Sequence, residues 1–404
     1  MKTRPQDWQE EKRQALAHAR LVIIKIGSAV LTDPSGLRMP VLENIAAQMA
    51  ALRKGEDMPA DRRGEEPARR IILVSSAAVA AGRATLARHG RHFEVVGLAA
   101  RQAAAAVGQG QLMRAWDRAF APFGLPTAQV LLTRDDLRAR QRFLNARNTF
   151  AELLQWDVLP IVNENDTVSV AELKFGDNDC LSSLLVNLTG ADLFINLTSA
   201  PGVLAGNPQE NPDVGVMSCV ENVGELDLGR LCGGKTTVGT GGMYSKLTAA
   251  RRAAQLGVPT LILPGREPDV MRRAFAGEQV GTWVRPADHA ISRRKFWLAY
   301  QSDPAGTVCV DAGAAEALQH RGGSLLPGGV RQVEGNFQQG ALVRIARLEA
   351  DGTSTVLGVG LSNYGAPDLR RIMGLKRIEV AAILGDAHYP EVIHRDNMLL
   401  EAAV

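Results

Sequence analysis

Cysteine is sparse in this chain. Cys180, Cys219, Cys232 and Cys309 lie far apart, without the paired spacing that zinc or a redox centre needs, and they read as reduced thiols. A surplus of one charge is missing too: the formal net charge of +3 over 404 residues is too small to set up a broad field towards nucleic acid or membrane. No apolar run approaches the length of a membrane span, and the opening segment MKTRPQDWQEEKRQALAHA lacks the apolar stretch of a signal peptide. A cytoplasmic protein with no membrane partner is therefore expected. In that compartment the Asn-x-Thr triplets at Asn187 and Asn196 have no meaning as glycosylation sites.

What is present is a globular composition, 46% apolar and 22% charged with 40 glycines, in a chain long enough for two domains. Short β-branched runs at 21–26, 70–74, 127–132, 158–162, 192–197 and 260–263 alternate with helical stretches at 41–52, 98–120, 142–154, 178–188 and 243–256. That alternation predicts an α/β fold, a three-layer sandwich with helices on both faces of a mostly parallel central sheet. The charged, breaker-rich stretch 54–68 reads as an exposed loop. Past residue 285 the pattern changes to short strands, at 307–310, 341–348 and 355–359, between Gly-rich turns and without a long amphipathic helix, which predicts a small β-rich second domain. The expected organisation is a helical N-terminal extension over 1–20, a first domain over 21–288, a linker over 289–304, the β-rich domain over 305–390 and a tail over 391–404.

Two motifs fail on their context. GRLCGGKT at 229–236 has P-loop spacing, with Lys235 and Thr236 in place, but a P-loop leaves a buried strand and enters a helix whose amides cradle phosphate. Here ENVGELDL precedes and TVGTGG follows, so neither is present. His394-Arg395-Asp396 copies a protein-kinase catalytic triplet, yet no metal-binding motif follows it.

The remaining polar clusters sit where parallel sheets expose their ligand sites. In LVIIKIGSAVL, Lys25 is either a surface lysine on an edge strand or one buried against an anion; the Leu, Val and Ile around it favour burial. Gly27, followed by Ser28, lets backbone approach that anion. A second strand runs into Ser75-Ser76-Ala77-Ala78, where unpaired amides at a helix start make an anion site, and where Ser75 or Ser76 serves equally as a plain cap. Asn163-Glu164-Asn165-Asp166-Thr167 follows another strand, and Phe175-Gly176-Asp177-Asn178-Asp179 opens a helix. Capping accounts for acidic residues there; a calcium loop would need alternating ligands and a closing Glu. The two clusters suit a ligand with an ammonium group, leaving one carboxylate to orient lysines. Last, Gly239-Thr240-Gly241-Gly242-Met243-Tyr244-Ser245-Lys246 precedes a helix; it reads as a phosphate-binding loop with a lysine one turn in, or as a linker with a solvated lysine.

Taken in order, KIGSAV, SSAAVAAG, LLTRDDL, RFLNARNT, VNENDTV, KFGDNDCLSSL and TGGMYSK resemble the glutamate 5-kinase family of amino-acid kinases, collinearly from about residue 21 to 285. VDAGAAEAL, SLLPGGV, GNFQQGALVRI and GLSNYGAPDLRRI resemble the PUA domain that ends many bacterial members. The resemblance implies an amino-acid kinase fold followed by a PUA-like domain, and phosphorylation of the L-glutamate side-chain carboxylate by ATP with Mg²⁺, the first step of proline biosynthesis. It implies that Lys25 and Lys246 neutralise charge building on the transferred phosphoryl group while Asp179 holds both lysines. Ser76, Ala77, Asp166 and Asn178 would bind glutamate. Lys25, Gly27, Ser28, Thr198, Ser199, Thr240, Gly241, Gly242, Met243, Tyr244, Ser245 and Lys246 would border ATP, with no metal ligand from the protein. The carboxylate attacks already ionised, so no general base is needed. A homo-oligomer, dimer or tetramer, is implied as well, with proline as feedback inhibitor and glutamyl-phosphate reductase as a partner.

The chain departs from the family pattern at Ser76-Ala77-Ala78, where many members have Ser-Gly-Ala, and at Thr198-Ser199, where many have Thr-Asp. The first adds a methyl group near substrate; the second alters the nucleotide loop. Two other functions compete: a kinase for another small acid such as aspartate or acetylglutamate, and a catalytically weak regulator binding glutamate, proline or RNA. The paired NEND and GDND clusters favour free glutamate. Arg370, Arg371, Lys376 and Arg377 have few aromatics around them, which argues against RNA binding.

Overall fold

The computed structural model describes residues 7–57, 68–91, 95–169, 178–206, 213–232, 242–300, 303–349, 353–385 and 389–400, divided into two compact units, Met1–Ala290 and Ile291–Val404. The first is built on an eight-stranded sheet: β1 (Leu21–Ile26), β2 (Arg70–Ser75), β3 (Thr127–Leu132), β4 (Leu159–Glu164), β5 (Leu193–Thr198), β6 (Cys219–Val220), β7 (Thr260–Pro264) and β8 (Thr282–Val284). Their spatial order is β3-β4-β2-β1-β5-β7-β8-β6. β8 runs antiparallel to β7, and β6 pairs in parallel with β8, so these two short strands at one edge oppose the other six. β1 lies inside, paired in parallel with β2 and β5, and its near-continuous apolar sequence follows from being covered on both faces.

Side-chain alternation assigns the faces. Val22, Ile24 and Ile26 join Leu73, Ile195, Leu197, Leu261 and Leu263 in the main core. Packed into that core are residues of α2 (Met39–Lys54), α4 (Gly97–Phe120) and α8 (Val270–Phe275). The other face carries Lys25, in register with Val74 on β2 and Asn196 on β5. Helix α5 (Arg140–Gln155) packs beside α6 (Asn178–Thr189), and α6 and α7 (Met243–Gln255), packed on each other, meet this side: Leu247, Ala250 and Ala254 of α7 cluster with Ile262 of β7. The three layers thus leave one lysine in an apolar strand facing two helix starts.

Helix α3 (Ala78–Arg88) crosses α4 with backbones nearly touching. A Cβ on Gly82 would stand 1.8 Å from the Ala104 carbonyl oxygen, and one on Gly108 the same 1.8 Å from that of Ala78. Trp116, fully buried, donates its indole N–H to Ser75 Oγ at 2.9 Å and so fastens the end of β2 from below. The N-terminal stretch expected to be helical contains α1 (Trp8–His18), capped by Asp7. Glu11 of this helix pairs with Arg285 at 2.9 Å, and Lys12 donates to the Glu278 carbonyl.

The second unit holds a five-stranded sheet of β9 (Gly306–Val310), β10 (Val330–Gly335), β11 (Leu342–Leu348), β12 (Ser354–Leu361) and β13 (Met398–Leu400), in the order β10-β9-β11-β12-β13. Its helices are α9 (Arg293–Tyr300), α10 (Ala312–Arg321), α11 (Ala366–Ile372) and α12 (Arg377–Leu384). The stretch 289–304, expected as a linker, therefore contains a helix whose Phe296 and Leu298 are buried. The tail over 391–404 contains an edge strand, because Met398 and Leu399 enter the sheet beside β12. His394 caps the short turn Arg395–Asn397 by accepting from Asp396 N–H, a structural role for the triplet that copies a kinase motif.

Candidate active site

The sheet and the two helix starts converge on one carboxylate. Asp179, fully buried in the first turn of α6, lies 2.6 Å from Lys25 Nζ and 3.2 Å from Lys246 Nζ, each lysine reaching a different carboxylate oxygen. Asn196 Nδ2 donates to Oδ1 at 2.7 Å, and Ser245 Oγ donates to Oδ2 at 2.8 Å. Lys25 is 1% exposed and Lys246 5%, so both ammonium groups are held largely out of water. Two cations thus meet on one carboxylate in a dry site, an arrangement that favours an arriving anion.

Helix polarity adds to this reading. An acid in the first turn of α6 is favoured by the helix dipole, whereas Lys246 in the first turn of α7 is opposed by it, at roughly 0.3–1 kcal/mol. The ion pair with Asp179 holds Lys246 at that unfavourable end. The preceding Gly242 is the N-cap of α7, and its carbonyl lies 3.4 Å from Lys246 Nζ.

Beside the charged cluster runs a chain of amides. Asn178 Nδ2 donates to Ser76 Oγ and to Asn163 Oδ1, both at 2.8 Å. Asn163 Nδ2 donates to Gln109 Oε1 at 3.0 Å. Within this chain, Asn178 Oδ1 and Gln109 Nε2 are buried without a hydrogen-bond partner among the described residues. A buried acceptor and a buried donor left over in one network cost about 1–3 kcal/mol each. A ligand carrying both an ammonium and a carboxylate group would satisfy them.

The expected site residues separate accordingly. Lys25, Asp179, Lys246 and Ser245 meet directly, and Ser76 and Asn178 are joined by a hydrogen bond. Gly27 follows β1, but its N–H donates to Leu197 O, and the Ser76 N–H donates to Ile26 O. Those two amides are thus given to neighbouring strands. The amides left for an anion are those of the first turn of α3, which have no acceptor within the helix. Ala77, the N-cap of α3, has φ 95° and ψ 2°, a left-handed conformation that costs an L-residue about 1–2 kcal/mol. Its side chain packs in the main core. Asp166 is half-buried just past β4. Thr198 is buried at the end of β5, while Ser28, Ser199 and Tyr244 are exposed and Met243 half-buried. Thr240 and Gly241 lie outside the described residues, as do Lys235 and Thr236 of the P-loop-like string. Gly229 of that string lies within the short helix Leu228–Leu231, where a P-loop would have a strand behind it.

Sequence reading placed Asn163 in a ligand-binding cluster without giving it a role, and it assigned neither Gln109 nor Asn196 to the site. For Asn196 a signal was available: a polar residue inside the apolar strand LFINLT, the same oddity that marked Lys25. Gln109 lies in a long helix in which nothing sets it apart.

Comparison with known proteins agrees with this geometry. Residues 20–264 match the amino acid kinase family, and residues 306–384 match the PUA domain. A glutamate 5-kinase from Nitratidesulfovibrio vulgaris (strain DP4) is 62% identical over 398 residues, covering 98% of this chain and 100% of that protein. Glutamate 5-kinases from Oleidesulfovibrio alaskensis and Geobacter sulfurreducens are 59% and 46% identical, covering 98% and 95% of this chain and 100% and 98% of those proteins. The chain therefore belongs to the amino acid kinase family and, within it, to the glutamate 5-kinases.

Proposed function

We propose that the chain transfers the γ-phosphoryl group of ATP to the side-chain carboxylate of L-glutamate, giving ADP and L-glutamyl 5-phosphate, the first step of proline biosynthesis. The observation that carries this reading is Asp179 between two buried lysines, 2.6 Å from one and 3.2 Å from the other. Phosphoryl transfer demands little covalent help; it demands positioning and positive charge where negative charge accumulates. Lys25 and Lys246 supply that charge, and Asp179, braced by Asn196 and Ser245, keeps both from drifting. The attacking carboxylate is ionised at neutral pH, so its lone pair forms the new P–O bond as the bond to ADP breaks, with no proton to remove.

The chain of amides supports an amino acid as acceptor. Asn178 Oδ1 would take a hydrogen bond from the α-ammonium group, with Asp166 supplying charge nearby, and Gln109 Nε2 would donate to a carboxylate. Mg²⁺ would arrive chelated by the triphosphate and offset its charge there. Both oxygens of Asp179 are already engaged by lysines and hydrogen bonds, and no group of three or more His, Cys, Asp or Glu among the described residues is placed to hold a metal. The proposal extends to a homo-oligomer, to proline competing for the amino-acid end of the site, and to hand-over of the labile acyl phosphate to glutamyl-phosphate reductase. A cytoplasmic location is part of it; no helix among the described residues is long and apolar enough to cross a membrane.

Lys246→Ala should abolish ADP release while leaving glutamate binding largely intact, because the lysine acts on charge that appears in the transition state. Normal turnover in a folded Lys246→Ala variant would remove Lys246 from the mechanism. Release of ADP with aspartate or acetylglutamate, and not with glutamate, would overturn the substrate.

A further inference from the structure

A second concave site lies in the first unit, lined by neither lysine nor by Asp179. The small hairpin Thr32–Asp33 with Gly36–Leu37 packs on α3, and between it, α3 and α4 there is a cavity of about 330 Å³. Ser35, Thr85 and Gln111 line it together with Arg88, Arg114 and Arg118, and no carboxylate does. Its size falls at the small end of the range of about 300–1,000 Å³ typical of ligand pockets.

Three arginines line this cavity, each exposed to solvent. Some arginines of the unit pair with acids, Arg69 with Asp57 and Arg285 with Glu11, and others, Arg83 and Arg251 among them, donate to backbone carbonyls. Arg114 and Arg118 make no hydrogen bond or ion pair among the described residues, and Arg88 donates only to Thr85 Oγ1, at 3.2 Å. Arg114 and Arg118 stand one turn apart on α4, a like-charge spacing that destabilises a helix by a few tenths of a kcal/mol. The helix dipole favours a cation within the last turn, which covers Arg88 and Arg118 at their helix ends. It does not cover Arg114, more than a turn from the end of α4, nor the convergence of all three on one cavity. A bound anion does. Guanidinium forks match phosphate oxygens two at a time, and three of them offer more donors than a single carboxylate can accept.

We propose that this cavity binds a small anion carrying two or more phosphoryl groups, with Arg88, Arg114 and Arg118 as its ligands and Thr85 and Gln111 as hydrogen-bonding partners. The assignment does not rest on the kinase reading. The test is calorimetric titration of inorganic pyrophosphate into the full chain and into the variant Arg88→Gln/Arg114→Gln/Arg118→Gln, with folding checked by circular dichroism. The wild type should bind saturably, with affinity falling as salt rises, and the variant should lose at least tenfold in that event. Its turnover of ATP and glutamate without pyrophosphate should stay within about twofold of wild type. The double variant Arg114→Lys/Arg118→Lys, which keeps the charge and loses the forks, should fall between the two and serves if the triple variant does not fold. Superimposable isotherms, absence of saturable binding to the wild type, or a change in oligomeric mass without a change in pyrophosphate binding would each overturn the proposal, the last assigning the arginines to a second copy of the chain.

Discussion

Replacing Asp179 by asparagine preserves the shape of the site and removes the negative charge that both lysines meet. Lys25 and Lys246, 1% and 5% exposed, would then face a neutral amide that can accept on one oxygen only. Removing one partner of a buried ion pair costs about 3–5 kcal/mol. At roughly 2–4 °C per kcal/mol for a unit of this size, the first-unit transition should fall by about 10 °C. ATP brings the missing charge on its phosphates, so its addition should raise the melting temperature further in Asp179→Asn than in the wild type. Turnover should move the opposite way. With both lysines loosened, the loss should be about 10²–10³-fold, the scale on which a preorganised electrostatic group contributes. Scanning calorimetry with and without ATP, together with an ADP-release assay, reads both effects. An unchanged melting temperature, or turnover within tenfold of wild type, would refute the view that this carboxylate organises the lysines.

Three further outcomes are expected. Ala77→Gly should raise the urea midpoint by the equivalent of about 0.5–1 kcal/mol, since relief of the left-handed strain, about 1–2 kcal/mol, exceeds the flexibility glycine gains in the unfolded chain; a lowered midpoint would contradict it. Asn196→Ala should cut kcat at least tenfold with the KM for glutamate within about twofold, because Asn196 braces Asp179 and acts through it; a rise in KM at constant kcat would place it in glutamate binding instead. The Cys219 thiol is pushed up to about 12 by burial and by the neighbouring Glu221. At pH 8.5 it should therefore alkylate with iodoacetamide at least a hundredfold more slowly in the folded protein than after unfolding in urea, and equal rates would contradict the shift.

Much of the fold was legible because strand and helix periods are loud in this sequence. β1, β3 and the starts of α6 and α7 fall where apolar runs and glycines indicate them. Quieter were elements whose signal is shared with a neighbour. β6 and β8 have two and three residues, too few for a period, and exist because β7 offers an edge to β8 and β8 in turn offers one to β6. In the second unit, α9 and α10 are short and contribute few buried positions, such as Phe296, Leu298, Ala315 and Leu318, so no amphipathic stripe announces them. At the site, Lys25 was visible as a charge inside an apolar strand, whereas Asp179 and Lys246 alone suited a helix cap and a solvated lysine and took their roles from the family resemblance. The amide chain from Gln109 to Ser76 was not visible, because its members lie 54, 15 and 102 residues apart along the chain and only the sheet order brings them together. Nor could the sequence show where the N–H groups of Gly27 and Ser76 go: a glycine or serine at a strand end looks the same whether its N–H is free or given to the adjoining strand, as both are here.

The crossing of α3 and α4 has a consequence for which mutations this protein can tolerate. Gly108 meets no substrate group, yet a methyl there must move the carbonyl of Ala78, the first residue after the Ser76–Ala77 turn. The contact under a methyl is 1.8 Å, so the helices would have to part by more than an ångström. A displacement of about 1 Å at a reacting group can cost roughly a hundredfold in rate. In a saturation screen scored on growth without proline, Gly82 and Gly108 should therefore be as intolerant as the lysines, and such a map would draw the catalytic region well beyond the residues that do chemistry.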